Sequence, residues 1–174
     1  MSGSSGEARL ERPALRILVD TNVWLDYFLG ERAGSADALA FLRTARAAGA
    51  SLLYPASSAT DLFYIICAEL KRAVVRERGV VGETDALAIR EIAWSCLGTL
   101  RELACAVGMD ESDVWLATKF RVLTDDFEDG VVLAAAQRAQ ADYLVTGDTA
   151  LIAKANVAAL APRDMLALLE LRRP

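Results

Sequence analysis

Short aliphatic segments alternate with longer amphipathic segments along the whole of this chain. The aliphatic segments, each a predicted strand, are Arg16–Val19, Ser51–Tyr54, Cys105–Val107, Tyr143–Val145 and Val157–Leu160. Strands that alternate with helices form a parallel sheet that is covered by helices on both faces. The sequence therefore predicts an α/β fold, a three-layer α/β/α sandwich around a parallel five-stranded sheet.

The segments between these strands carry apolar residues at three- and four-residue spacing, which is typical of helices that bury one face. Helices are predicted over about 23–29, 35–48, 57–78, 83–103, 111–121, 127–139 and 163–171. In the second of these, Leu39 and Leu42 are predicted to face inward. The buried stripe predicted for the fourth consists of Ile89, Ile92, Ala93, Cys96, Leu97 and Leu100.

The chain of 174 residues has the length of one domain with a full core. Residues 1–14 are predicted to be a flexible N-terminal tail or a cloning remnant, and residues 15–172 the folded domain. No apolar run approaches the roughly 20 residues that a membrane-spanning helix needs. Cys67, Cys96 and Cys105 lack metal-site spacing and have apolar neighbours, which predicts reduced core thiols in a cytoplasmic protein.

The chain contains no histidine. A Ser-His-Asp triad, a Cys-His pair, a His-ligated zinc site and a histidine general base are therefore excluded. Glycine-rich phosphate-binding loops are absent from the sequence as well. Any enzymatic chemistry must come from carboxylates, which suit hard cations such as Mg²⁺ or Mn²⁺. The formal net charge of −5 argues against non-specific nucleic-acid binding, although it leaves room for a local basic groove.

Four aspartates lie near the carboxyl ends of predicted strands. Asp20 and Asp148 follow the first and fourth strands, whereas Asp61 and Asp129 lie near the beginnings of helices at the same edge. In such sheets the functional site lies outside the carboxyl ends of the strands. Crowded carboxylates raise each other's pKa, and a divalent cation relieves their repulsion. The joint placement predicts a metal site.

Each acid also has a simpler interpretation. Asp20 or Thr21 could cap the helix that follows, Asp126 is predicted to cap the helix that carries Asp129, and Asp148 could cap the turn before Leu151. Asp61 could face solvent. For each residue taken alone the simpler interpretation is favoured, and only their common location favours metal binding.

Three segments resemble PIN-domain ribonucleases, and in particular the VapC-type toxins of type II toxin–antitoxin systems. They are VDTNVWLDYF, DFEDGVVLAAAQRAQADYLVTGD and LAPRDML, and the resemblance extends from Arg16 to Leu171. It implies a Mg²⁺- or Mn²⁺-dependent endoribonuclease that has an RNA substrate, forms a homodimer and has an antitoxin protein as a partner. Its catalytic acids and metal ligands would be Asp20, Asp61, Asp129 and Asp148. The residues that would orient these ligands are Asn22, Thr146 and Asp126.

Two positions depart from the pattern of that family. Asp61 stands where the family more often has glutamate, so this carboxylate has a shorter reach. Gly147, within TGD, stands where an arginine is common, so a cation that could neutralise phosphate is missing.

Basic and aromatic residues outside the acidic group are candidates for contacts with RNA or protein. Arg43, Arg46, Lys71 and Arg72 are the candidate RNA contacts, although cations near a helix end also complement its dipole. Trp24, Trp94 and Trp115 are predicted to be core or interface residues rather than base-stacking platforms. The apolar segment 63–67 is predicted to be core, with a homodimer seam or an antitoxin groove as alternatives.

Three other functions are alternatives for a chain of this kind. A phosphatase of the haloacid dehalogenase type requires a second acid at position 22, where this chain has asparagine. A receiver-like binding domain requires an acidic pair before the first helix and a late lysine, and neither is well placed. The third rival is a catalytically degenerate PIN domain that serves as a protein-binding scaffold, which would bind Mn²⁺ weakly or not at all.

Overall fold

The computed structural model describes residues 14–172, so the predicted tail lies almost entirely outside the described residues. Five parallel strands form one sheet in the order β3-β2-β1-β4-β5. They are β1 (Arg16–Val19), β2 (Ser51–Pro55), β3 (Cys105–Val107), β4 (Tyr143–Val145) and β5 (Ala159–Leu160). The predicted α/β fold with a parallel five-stranded sheet is confirmed.

The helices cover both faces of this sheet. They are α1 (Thr21–Phe28), α2 (Ser35–Ala47), α3 (Ala56–Arg78), α4 (Glu83–Leu103), α5 (Glu111–Phe120), α6 (Phe127–Arg138), α7 (Thr149–Lys154) and α8 (Pro162–Leu171). All seven predicted helices are present. Helix α7 was not predicted, because six residues are too few to display a helical period. Strand β5 is two residues shorter than predicted, because only Ala159 and Leu160 pair with β4.

The central strand β1 divides the core between the two faces of the sheet. Ile17 and Val19 belong to a cluster with α1, α2, α3, α4 and α8, whereas Leu18 belongs to a cluster with α6. This division follows from the two-residue period of strand side chains. Within β1 all three aliphatic side chains are completely buried, which explains why this strand is apolar throughout.

Strand order brings the ends of β1 and β4 together. Val19 pairs with Val145 in register, and the Asp20 amide donates a 3.0 Å hydrogen bond to the Val145 carbonyl. The residues that follow these two strands therefore emerge side by side at one edge of the sheet, although they are far apart in the sequence.

The predicted inward direction is wrong for one residue in each of the helices α2 and α4. Leu39 and Ile92 are exposed, because the inward faces of their helices are formed by neighbouring positions. On α2 the buried residues are Ala38, Phe41, Leu42 and Ala45, and on α4 they are Ile89, Ala93 and Leu100. Each exposed residue directly adjoins a buried one and so lies about 100° around the helix from it.

The cysteines differ in their surroundings. Cys67 is buried and Cys96 is half-buried against the larger core cluster, whereas Cys105 is exposed because β3 is an edge strand. The prediction of core thiols is thus wrong for Cys105. Among the helices of residues 14–172, none combines the length and the apolar character that crossing a membrane requires.

Candidate functional site

Asp20 is a buried carboxylate with three hydrogen-bond donors around it. It is 6% exposed, and its Oδ1 accepts a bond of 2.6 Å from the Thr21 amide as the N-cap of α1. Its Oδ2 accepts bonds from the Thr146 hydroxyl at 2.7 Å and from the Asn22 side-chain amide at 2.6 Å. Asp20 therefore caps a helix, as the simpler interpretation expected, and is also held from β4.

Asn22 and Thr146 join the ends of the two central strands. Asn22 Nδ2 donates to Thr146 Oγ1 at 3.0 Å, and Asn22 Oδ1 accepts from the Gly147 amide at 2.8 Å. Thr146 Oγ1 also accepts from the Asp148 amide at 3.0 Å. A Cβ atom at position 147 would lie 3.3 Å from Asn22 Oδ1. A larger residue at position 147 would therefore press on the Asn22 side chain that accepts a hydrogen bond from the Gly147 amide.

Asp129 and Asp148 lie at the beginnings of two helices. Asp129 Oδ2 accepts a 3.0 Å bond from the Thr124 hydroxyl, and the Asp129 amide donates to Asp126 Oδ1 at 3.3 Å. Asp126 is the N-cap of α6, as predicted, and Asp148 is the N-cap of α7. Within residues 14–172, Asp129 Oδ1 and Asp148 Oδ2 receive no hydrogen bond and so stay available to a ligand.

The three acids from the ends of β1 and β4 and from α6 influence one another electrostatically. Burial raises the pKa of Asp20, and the charge of Asp129 raises it further, against the lowering effect of the hydrogen bonds from Thr146, Thr21 and Asn22. Burial also raises the pKa of Asp129, and the charges of Asp126 and Asp148 add to this effect. Asp129 therefore lies within range of the charges of both Asp20 and Asp148.

A fifth acid, Glu128, was not predicted, and it lies within range of the charges of both Asp61 and the other acids. Burial raises the pKa of Asp61. The pKa of Glu128 is raised by burial and then by the charges of Asp61, Asp20, Asp126 and Asp129. Its position directly before Asp129 in the DFED segment, in the first turn of α6, was the signal that could have indicated it.

The acidic side chains are of the type that a hard divalent cation prefers, but they lie too far apart to bind one together. Carboxylate oxygens are the ligands that Mg²⁺ and Mn²⁺ prefer. Among residues 14–172, however, no three side chains of the metal-binding types lie close enough together to hold an ion. Ligation by Asp20, Asp129 and Asp148 therefore requires their carboxylate oxygens to come closer together.

The candidate RNA contacts do not gather at this acidic edge. Arg43 and Arg46 lie in the second half of α2, which leads to the start of β2 and so to the opposite edge of the sheet. Lys71 lies about 15 Å further along α3 than Asp61, since each helical residue adds about 1.5 Å. Arg72 is paired with Glu69. A cation that does act on the acids is Lys154, whose charge lowers the pKa of Asp129.

The tryptophans divide between core and surface. Trp24 is completely buried, and its indole N–H donates to the Val19 carbonyl at 3.2 Å. Trp94 and Trp115 are 61% and 56% exposed, so a core location is wrong for both. Trp94 lies 5.1 Å from Phe63, which in turn lies 5.4 Å from Tyr64 (distances between ring centroids). These rings form an exposed aromatic patch on α3 and α4.

The sequence model of the PIN domain matches this chain over residues 16–150. This chain belongs to the PIN-domain family. The matched region is most of the described chain and contains all four predicted aspartates. No curated protein matches the chain.

Two solved structures resemble this PIN domain. One is VapC20 of Mycobacterium tuberculosis, described as a Sarcin-Ricin loop cleaving toxin, with 14% identity and a TM-score of 0.57 over 82% of this chain and 97% of that one. The other is VapBC2 from Rickettsia felis bound to a promoter DNA fragment, with 12% identity and a TM-score of 0.58 over 84% and 98%. At these identities the likeness supports the PIN-like, VapC-like fold.

Proposed function

We propose that this PIN domain is a metal-dependent endoribonuclease that hydrolyses phosphodiester bonds in RNA. Membership of the PIN-domain family and the VapC-like fold support a nuclease. The observation that carries the proposal is the buried Asp20, which bonds to the same Thr146 hydroxyl as the Asp148 amide and whose pKa is raised by the charge of Asp129. The proposed chemistry uses carboxylates and a metal ion, and so does not need histidine, which the chain lacks.

The acids would hold Mg²⁺ or Mn²⁺ through Asp20, Asp129 and Asp148, with Asp61 completing the group. A divalent ion supplies an acidified water and offsets the charge that develops on the phosphoryl oxygens. Thr146 and Asn22 keep Asp20 in one orientation by donating to its Oδ2. Asp126 holds the first turn of α6, from which Asp129 projects. Asp61 would orient the attacking water.

The decisive experiment is the Asp129→Asn variant, incubated with total RNA and Mn²⁺. We expect cleavage to disappear in this variant, and in the wild type with a chelator, while the variant stays folded and still unfolds cooperatively on heating. Asp125→Asn, a change of the exposed neighbouring acid in the same segment, is the matched control and should keep the activity. Cleavage by Asp129→Asn at the wild-type rate would refute the proposal.

We further propose a VapC-like toxin with an antitoxin partner and a cytoplasmic location. The support is the fold likeness to VapBC2 and to a toxin described as cleaving the Sarcin-Ricin loop. The exposed aromatic patch of Phe63, Tyr64 and Trp94 is the surface offered for a homodimer. A small reading frame directly upstream of the gene would support the antitoxin.

A catalytically degenerate scaffold is the second candidate. Two observations favour it: the acids do not yet lie at ligating distance, and glycine occupies position 147. Calorimetric titration with Mn²⁺ separates the two candidates. A nuclease site should give a binding heat in the wild type that is lost in Asp129→Asn, whereas a degenerate site should give the same weak or absent heat in both.

A further inference from the structure

A buried pair of hydroxyl groups connects the elements that carry Asp20 and Asp61. Thr21 Oγ1 donates a 2.8 Å hydrogen bond to Ser58 Oγ. Thr21 is 5% exposed and Ser58 is 1% exposed. Thr21 directly follows Asp20 at the start of α1, and Ser58 lies three residues before Asp61 in the first turn of α3.

Asp61 differs from Asp20 in having no polar contact of its own. Within the described part of the chain its carboxylate accepts no hydrogen bond and forms no ion pair, whereas Asp20 accepts three hydrogen bonds. The location of the Asp61 carboxylate therefore depends on where α3 lies. Residues three apart lie on the same side of a helix, so a displacement at Ser58 moves Asp61 with it.

The short side chain of aspartate makes this dependence stronger. A glutamate at position 61 would have one more methylene group and one more rotatable bond, with which it could follow a displaced helix. Aspartate lacks this freedom. The distance of Asp61 from Asp20 therefore depends on the contacts that fix α3 relative to α1.

We propose that the Thr21–Ser58 hydrogen bond positions Asp61 relative to Asp20 and thereby sets the affinity of the site for a divalent ion. This inference rests on the proposed function, because it assigns Asp61 to the metal site. Thr21 and Ser58 are positioning residues in it, since neither contacts the ion or the substrate.

A contribution to stability alone is the competing explanation, and a pair of substitutions distinguishes it. Removing one hydroxyl leaves the other buried without its partner, which destabilises the fold, whereas removing both is nearly neutral. Thr21→Val and Ser58→Ala remove the hydroxyls with little change in volume. Ser58→Ala also leaves the residue next to Asp20 unchanged, so it tests the effect from the α3 side only.

The experiment is calorimetric titration of the metal-free protein with Mn²⁺, together with urea unfolding. We expect each single variant to bind Mn²⁺ about 10-fold more weakly than the wild type, as is usual when a group that orients a metal ligand is removed. The double variant should regain the wild-type stability but keep the weak binding. Thr21→Ser, which retains the hydroxyl, should bind Mn²⁺ as the wild type does.

Asp61→Glu in the double variant provides a rescue. The longer side chain should recover most of the Mn²⁺ affinity without changing the unfolding curve. Wild-type affinity in the double variant would overturn the inference while leaving the proposed function intact. If instead the wild type shows no Mn²⁺ binding, or shows binding that Asp129→Asn leaves unchanged, the proposed function is wrong and this inference is wrong as well.

Discussion

The Thr146 hydroxyl donates a 2.7 Å hydrogen bond to Asp20 Oδ2 across 126 positions of sequence. The same hydroxyl oxygen accepts from the Asn22 side-chain amide and from the Asp148 amide, each at 3.0 Å. With both acceptor directions occupied, the hydroxyl proton is directed at Asp20. The Thr146 side chain thus binds the carboxylate of one acid, Asp20, and the backbone amide of a second, Asp148.

Removing this hydroxyl should weaken both the fold and the metal site. In Thr146→Val the Asn22 and Asp148 donors lose an acceptor, so we expect the free energy of unfolding to fall by about 1–3 kcal/mol. We expect Mn²⁺ affinity to fall by about 10- to 100-fold. Urea unfolding and calorimetry measure the two effects. Thr146→Ser keeps the hydroxyl and should retain the affinity; equal losses in both variants would contradict the role of the hydroxyl.

The metal-free protein should lose stability as the pH rises above the ordinary aspartate pKa of 3.8. Burial raises the pKa of Asp20 and Asp129 in the folded state. Between the ordinary and the raised value the folded protein binds more protons than the unfolded chain, so the free energy of unfolding falls with increasing pH.

Asp129→Asn isolates this effect from the other carboxylates. The variant should be more stable than the metal-free wild type at pH 7, and the difference should shrink as the pH falls towards 3.8. Urea unfolding from pH 4 to pH 8 with a chelator measures it. Mn²⁺ should stabilise the wild type and not the variant. A difference that is independent of pH would exclude the electrostatic cause.

Arg138 should be needed for stability because it faces a buried acid. Asp113 is 2% exposed, its Oδ2 accepts from Arg138 Nη1, and its Oδ1 has no hydrogen-bond partner among the described residues. Arg138→Leu leaves this buried carboxylate without a cation, and we expect a loss of about 3 kcal/mol in the free energy of unfolding. Arg72→Ala, at the exposed pair with Glu69, should cost at most about 1 kcal/mol. A similar loss of unfolding free energy in both variants would contradict this prediction, because the ion pair of Arg138 would then contribute no more than an exposed one.

The salt dependence of RNA binding should identify the cations that contact phosphate. In the inactive Asp129→Asn background, Lys154→Ala should reduce the slope of log Kd against log salt by about 0.7, the value for one phosphate contact on a single strand. Replacing Arg43 and Arg46 together by alanine should leave the slope unchanged, because α2 ends at the opposite edge of the sheet. A reduced slope in that double variant would restore these two arginines as RNA contacts.

Local sequence patterns were sufficient for most of the fold. The bounds of β1, β3, β4 and α4 follow from runs of aliphatic residues and from helical periodicity, which depend on near neighbours only. The helical face that each residue occupies was less predictable. Leu39 and Trp94 are exposed because the elements around α2 and α4 contact other sides of these helices.

The sequence by itself determined that Asp20 and Asp148 lie at one edge of a sheet, because the carboxyl ends of parallel strands share an edge whatever their order. Only the tertiary structure decided that β1 and β4 are neighbours, and hence that Thr146 reaches Asp20, that Glu128 joins the acids and that Thr21 bonds to Ser58. The physical reason is that strand order and helix placement depend on contacts between residues distant in sequence, which no local pattern contains.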